Sequence, residues 1–359
     1  YRSFSGKPTA VGYPFCKFLL SALNELDPSA CAREHTEGLY IIPYEKDVLR
    51  NVYETYLIQG GAEVYTNSLL ESVQVNERRI KSLSVVVNGK ATTITARAVV
   101  DCSGNAIVSQ LAGLDIHEEE NYQGAAQMFR VTGISQQNDF ILNMAIRKAI
   151  VKKSVEMNWP KSYGSVSIVP GSLRNGNVDL KLALPDTITA ETLRGKKPLE
   201  ESGRRVHEIF AVLKSDVESF RDAELEVNFP QPGIRVLQRS KGKYTLTEED
   251  VLGCKKSETG IATGTWPIEE WDNQGQVKMQ YFEPDNGYSI PAGCTISEAL
   301  DNLFFAGKNL SATSRAVASA RVIGTGLQTG YAAGKLACGK SIHEQELIVS
   351  SLHHELERF

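Results

Sequence analysis

The six cysteines of this chain include no C-x-x-C pair. Their scatter argues against a zinc knuckle, a dithiol redox motif and a disulfide framework alike. Cys16, Cys31, Cys102, Cys254, Cys294 and Cys338 are read as small buried hydrophobes. The histidines add no metal site: His343, His353 and His354 fall on a polar C-terminal helix, and His35, His117 and His207 lack ligand-spaced partners. No run approaches the roughly 18 apolar residues of a membrane span. Positive charge is not in excess either. A formal net charge of −4 gives no basic footprint and argues against nucleic acid as a partner. Tyr1-Arg2-Ser3-Phe4 has neither an initiator methionine nor a signal-peptide pattern, so the natural start is expected upstream. The compartment and the oligomeric state are left open, the cytoplasm being favoured.

What remains is ordinary globular material. Apolar residues make up 42% of 359, enough for a sizeable core and two domains. A helix is predicted over Phe15–Leu26. After Pro43, Val48, Leu49, Val52, Tyr53, Tyr56 and Leu57 recur at helical spacing until Gly60-Gly61. Strands are predicted at Ala62–Tyr65, Leu69–Val75, Ile80–Val87 and Ala91–Ala96, the last two joined by the hairpin dipeptide Asn88-Gly89. Ala98-Val99-Val100-Asp101 then runs into Cys102-Ser103-Gly104, a strand reaching a glycine turn. Past residue 123 the pattern changes to strands at Met128–Ile134, Val166–Val169 and Val178–Leu184. A long amphipathic helix follows, carrying Val206, Ile209, Phe210, Leu213, Val217 and Phe220 on one face. Thr247-x-x-Asp250 has capping-box form, and Leu303–Gly307 reads as another buried strand.

The most telling stretch comes last. Ala320–Ile323 is a β-branched run, and Gly324-Thr325-Gly326-Leu327 opens a helix rich in alanine and glycine. Small residues at a helix N-terminus bring backbone N–H groups close to an anionic, bulky ligand. A nicotinamide-type unit needs a second strand and an acid roughly 20 residues further on, and only about 35 residues follow this turn. The turn is therefore read as the second half of a site whose first half lies far upstream.

Several segments, taken in order, resemble the FAD-dependent oxidoreductases of the two-dinucleotide-fold flavoproteins. They are A-R-A-V-V-D-C-S-G-N-A from Ala96 to Ala106, D-N-L-F-F-A-G-K-N-L-S-A-T from Asp301 to Thr313, and Ser319 through Gly334. A middle block resembles the family at Gly233, Ile234, Arg235, Arg239, Gly242, Tyr244, Leu246 to Asp250, Trp266 and Pro267. The family's G-x-G-x-x-G loop and ribose-binding acid are not in the sequence and are expected before residue 1. The family's arginine after Ala-Gly is Lys308, its S-A-T-H histidine is Ser314, its last-turn cysteine is Gly326, and Val236 stands for an acid.

The resemblance implies an α/β fold: an FAD/NAD(P)-binding Rossmann-like domain, lacking its first unit, with an inserted antiparallel-sheet substrate domain. The expected boundaries are 1–124 and 291–359 for the cofactor domain and 125–290 for the insertion. It implies FAD as cofactor. Cys102, Ser103 and Gly104 would face the adenosine and pyrophosphate portion, and Gly307, Lys308 and Asn309 the ribityl and pyrophosphate region. Gly324, Thr325, Gly326 and Leu327 would line the pyrimidine edge of the isoalloxazine. Arg321 would assist that charge, anchor a carboxylate substrate or form a structural ion pair. Arg235, Arg239 and Tyr244 are the substrate-side candidates, Tyr244 as a proton donor or acceptor with a lowered pKa; a domain-interface network is the plainer alternative. Trp266 and Trp271 wall the flavin or fill a core. The expected activity is hydride transfer between a small organic substrate and flavin N5. The alternative is a binding or scaffold protein that has lost cofactor and catalysis.

Overall fold

The computed structural model describes residues 12–36, 38–118, 124–159, 165–184, 197–226, 232–235, 238–272, 276–283 and 285–357. In chain order the first elements are α1 (Pro14–Leu26), β1 (Arg33–Thr36), β2 (Leu39–Ile41) and α2 (Lys46–Gln59). The strands β3 (Ser68–Asn76), β4 (Arg79–Val87), β5 (Lys90–Ile94) and β6 (Val99–Asp101) lead to α3 (Ile107–Leu111) and β7 (Ile116–Glu118). Next come β8 (Ala126–Thr132), α4 (Asp139–Glu156), β9 (Val166–Ile168), β10 (Val178–Ala183), α5 (Lys197–Asp216) and β11 (Glu224–Glu226). The return comprises β12 (Gln238–Ser240), α6 (Glu248–Leu252), β13 (Gly260–Gly264), β14 (Ile268–Trp271), β15 (Val277–Gln280) and β16 (Tyr288–Pro291). It ends in β17 (Leu303–Phe305), α7 (Ser314–Ala320), α8 (Ile323–Cys338) and α9 (Ile342–Glu357).

Two compact units result. Unit 1 comprises Tyr1–Glu119, Gln238–Glu269 and Met279–Phe359; unit 2 comprises Glu120–Leu237 and Glu270–Lys278. Residues 238–269, grouped with the insertion on sequence, pack in unit 1 because their strands pair there: β12 with β7 and β13 with β16.

In unit 1, β3, β4 and β5 form an antiparallel meander. Asn88 (φ 50°) and Gly89 (φ 79°) both take the left-handed region that a two-residue hairpin turn requires. β6 and β17 pair in parallel, Leu303 with Val99 and Phe305 with Asp101. One core joins Phe304 and Ala306 to Tyr13, Cys16, Ile261, Ala332, Ala333, Leu336 and Leu352, and so fastens α1, α8 and α9 onto the end of this strand pair.

Unit 2 is a four-stranded antiparallel sheet in the order β11-β8-β10-β9. Phe129, Val131, Val178, Leu180 and Leu182 alternate onto one face. They meet Leu142, Ile146 and Ile150 of α4 and Val206, Ile209 and Leu213 of α5. On the other face Arg130 Nε and Nη2 grip the two carboxylate oxygens of Asp179 at 2.6 and 2.9 Å.

Three expectations fail locally. Ala62–Tyr65 forms no strand. The glycine turn expected after the Ala320–Ile323 run is helical: Arg321-Val322 is the break between α7 and α8, and Gly324–Gly326 lie inside the first turn of α8. Of the cysteines only Cys16 and Cys294 are buried, while Cys31, Cys102 and Cys338 are exposed. Val236 lies outside the described residues.

Candidate functional site

β6 and β17 end in register, so the chain leaves both strands at the same edge. In parallel sheets that carboxyl edge is where ligands sit. Asp101, 3% exposed, shapes the first exit. Its Oδ1 accepts from the Ser103 N–H at 2.8 Å and its Oδ2 from the Val108 N–H at 3.0 Å. Gly104 then turns with φ +73° and Ala106 with φ +53°, a conformation costly for any residue but glycine. A Cβ on Gly104 would lie 2.3 Å from Lys308 Cε, because the lysine stem crosses the turn there. Cys102 and Ser103 are exposed beside it.

After β17, Gly307 turns with φ +65° and donates its N–H to Thr329 Oγ1 at 3.1 Å. A Cβ on Gly326 would sit 3.8 Å from Gly307 Cα, so the first turn of α8 rests against this turn. Gly307-Lys308 is thus held between the two glycine segments: Gly104 on the lysine, and Gly326 and Thr329 on the glycine. The sequence reading assigned Gly104 the task of admitting a cofactor. What the missing Cβ admits in the structure is the Lys308 stem.

The start of α8 is poor in partners for its own donors. Val322 supplies no side-chain cap, and the Gly326 N–H bonds to Val322 O at 2.9 Å, which leaves Ile323, Gly324 and Thr325 at the first helical positions. Thr325 is 1% exposed, and its buried Oγ1 has no hydrogen-bond partner among the described residues. Neither does the buried Oδ1 of Asn105 in the first turn. Burial pushes the Lys308 ammonium below its ordinary range, and the neighbouring Arg321 cation adds to the shift. Arg321 is lowered by burial too, opposed by Glu269. The guanidinium lies 4.0 Å from Glu269 Oε1 and donates to the Glu269 carbonyl at 3.4 Å, while Glu269 Oε2 accepts from Trp266 Nε1 at 2.8 Å.

The side chains of two of the expected contact residues are engaged within the protein. Asn309 is fully buried: its Nδ2 donates to Asp101 O at 3.2 Å and its Oδ1 accepts from the Ser240 N–H at 3.2 Å. It ties the two strand exits to β12. Leu327 packs its side chain against the cores of α1, α2 and α8.

The substrate-side candidates fall into separate networks. Arg235, in unit 2, stacks 4.5 Å from the Trp271 ring centroid and donates to Gly124 O. Lys181 Nζ lies 3.9 Å from the same ring centroid. Arg239, in unit 1, is 2% exposed and donates through Nε to Ala312 O at 2.8 Å. Tyr244, also in unit 1, donates to Asp250 Oδ2 at 2.9 Å and accepts from Lys255 at 3.3 Å. Burial and the bond to Asp250 raise its pKa, against the lowering that proton transfer at neutral pH asks for. Sequence reasoning missed Asp101, Asn105, Thr329 and Glu269. Asp101 alone carried a signal, as the acid closing a β-branched run.

Two neighbouring cations, a helix start without a side-chain cap, buried polar oxygens and side-chain-free glycines suit an anionic, hydrogen-bonding dinucleotide. An α/β unit with this arrangement at the edge of parallel strands is of the nucleotide-cofactor class. The FAD dependent oxidoreductase family model matches residues 15–356, so the chain belongs to that family, whose cofactor is FAD. The chain is similar to a geranylgeranyl bacteriochlorophyll reductase-like protein from Thermoplasma acidophilum (10% identity, 91% of this chain and 61% of that one, TM-score 0.41). It is similar also to p-nitrophenol 4-monooxygenase from Pseudomonas putida (12% identity, 93% and 62%, TM-score 0.42). A third is anhydrotetracycline hydroxylase from Streptomyces rimosus (9% identity, 95% and 55%, TM-score 0.41). The chain therefore spans 55–62% of the length of these solved structures. No curated protein matches it.

Proposed function

We propose that this chain is an FAD-dependent oxidoreductase acting on a small organic substrate, with a hydride passing between a substrate carbon and flavin N5. The observation that carries the reading is the meeting of the Cys102–Gly104 exit and the first turn of α8 at Gly307-Lys308. FAD supplies the redox chemistry when bound. The chain's own part is to hold and polarise it. Lys308 and Arg321 offset its negative charge, and the N–H groups of Ile323, Gly324 and Thr325 donate at the helix start. Thr325 Oγ1 and Asn105 Oδ1 supply polar partners, and Gly307 and Gly326 leave the approach open. Asn309 keeps the two exits aligned, and Leu327 anchors α8 from behind.

Within unit 2, Arg235 stacks beside Trp271, a guanidinium of the kind that suits a carboxylate or another planar anion. Arg239 and Tyr244 act as positioning residues, the first through Ala312 and the second through Asp250.

Titration with FAD, followed by quenching of flavin fluorescence, tests the reading. Saturable binding is expected, weakened about tenfold in Lys308→Met or Arg321→Met through loss of a charge-assisted contact. Full-length protein that binds no flavin after reconstitution, or variants that bind like wild type, would overturn it.

A further inference from the structure

α4 of unit 2 is apolar on two sides. Leu142, Ile146, Ala149 and Ile150 enter the core against the sheet and α5. The opposite side carries Phe140, Met144, Val151 and Val155, exposed to 75%, 54%, 52% and 80%. At about 100° per residue these four fall within an arc of about 60°. Ile141, 53% exposed, widens the stripe, which runs from one end of the helix to the other. Isolated exposed apolar residues are commonplace, but two clusters on one side of a helix, Phe140-Ile141-Met144 and Val151-Val155 with Arg147 and Lys148 between them, mark a contact surface.

The charges around it choose the partner. Arg147, Lys148 and Lys152 are exposed along the stripe and its borders, whereas the acids, Asp139 and Glu156, sit at the helix ends, Glu156 lying 3.9 Å from Lys152 Nζ and leaving Arg147 and Lys148 as the excess charge. This basic band belongs to a chain whose formal net charge is −4. A second copy stacked on this face would bring Arg147, Lys148 and Lys152 toward their own equivalents, which opposes self-association. An anionic surface satisfies both features: lipid headgroups meet the cations, and the acyl boundary takes the apolar side chains. Because no helix among the described residues is long and apolar enough to cross a membrane, contact in the interface plane is the matching mode.

We propose that α4 docks unit 2 onto the surface of an anionic lipid bilayer through Phe140, Met144, Val151 and Val155, steered by Arg147, Lys148 and Lys152. Sedimentation of the full chain with vesicles tests this, comparing phosphatidylcholine alone with phosphatidylcholine containing about one third phosphatidylserine. Binding is expected to the anionic vesicles only and to weaken with added salt. Phe140→Ser with Val155→Ser, both at exposed positions that leave the core intact, should lower the bound fraction about tenfold. Lys148→Glu with Lys152→Glu should do the same, reading the charge separately from the apolar contact. No binding to anionic vesicles overturns the proposal, as does binding that both double variants retain. A dimer in analytical ultracentrifugation that the serine variants dissolve would assign the stripe to a second copy and overturn it as well.

Discussion

Gly104 and Gly307 share a backbone conformation but differ in what surrounds them, and the difference is measurable. Both have positive φ, +73° and +65°. Around Gly307 nothing lies within 4 Å of an added Cβ, whereas at Gly104 such an atom would meet Lys308 Cε at 2.3 Å and Cγ at 2.9 Å. Gly307→Ala therefore carries only the backbone strain, about 1 kcal/mol. Gly104→Ala carries that strain and must also push Lys308 off the turn. Chemical denaturation of the flavin-free chain should place Gly104→Ala below Gly307→Ala in stability. Equal losses would mean that Lys308 moves freely and does not bridge the two segments. The sequence marked both glycines as turn residues. It could not tell what would cross Gly104, since that neighbour comes from about 200 positions further along.

At the scale of elements, local chemistry made much of the fold legible. Thr247 accepts from the Asp250 N–H at 3.3 Å, and Asp250 Oδ2 accepts from the Thr247 N–H at 3.0 Å, closing the box that the four-residue pattern suggested. Tyr244 and Lys255 bind the same carboxylate. Burial opposes ionisation of Asp250, but the bonds from Lys255, Thr247 and Tyr244 hold it below the ordinary carboxylate range. A depressed folded pKa stabilises the chain at pH above the unfolded value, and that contribution is lost as pH falls through the folded one. Asp250→Asn should thus cost about 1–2 kcal/mol at neutral pH by chemical denaturation. The difference from wild type should shrink on acidification. A gap independent of pH would show that packing, and not charge, makes the contribution. The hairpin at Asn88-Gly89 and the stop of α2 at Gly60 were readable for the same reason: the determining residues are adjacent in sequence. α4 was not readable, because its apolar residues surround the axis and leave no single-face period. The start of α8 misled in another way. Arg321-Val322-Ile323 has strand-like composition, but Arg321 closes α7 with its N–H on Val317 O and Val322 is the extended residue before α8.

For the whole molecule, the decisive facts are long-range and could be reached only through resemblance. β6 and β17 are joined across about 200 residues, and the segment 238–269 returns to unit 1 through strands that pair with β7 and β16. Each unit has its own hydrophobic core, which gives a test of how the cofactor site is supported. Phe304, 1% exposed, lies in β17 just before the Gly307 turn and packs with Ala332, Ala333 and Leu336 of α8. Leu180, fully buried in β10, packs within the sheet-and-helix core of unit 2. Phe304→Ala should cost about 3–5 kcal/mol and Leu180→Ala about 2–5 kcal/mol, both through lost burial and the cavity left behind. Their effects on flavin should separate. The cavity behind β17 loosens the register between Gly307 and the first turn of α8, so Phe304→Ala should bind FAD more weakly even at temperatures where it stays folded. Leu180→Ala should bind FAD as wild type does under those conditions, since its core contains no residue assigned to the cofactor. Circular dichroism to fix the folded range, followed by FAD titration within it, reads both. If Leu180→Ala loses FAD as severely as Phe304→Ala, the cofactor depends on unit 2, and confining its site to the carboxyl edge of β6 and β17 is refuted.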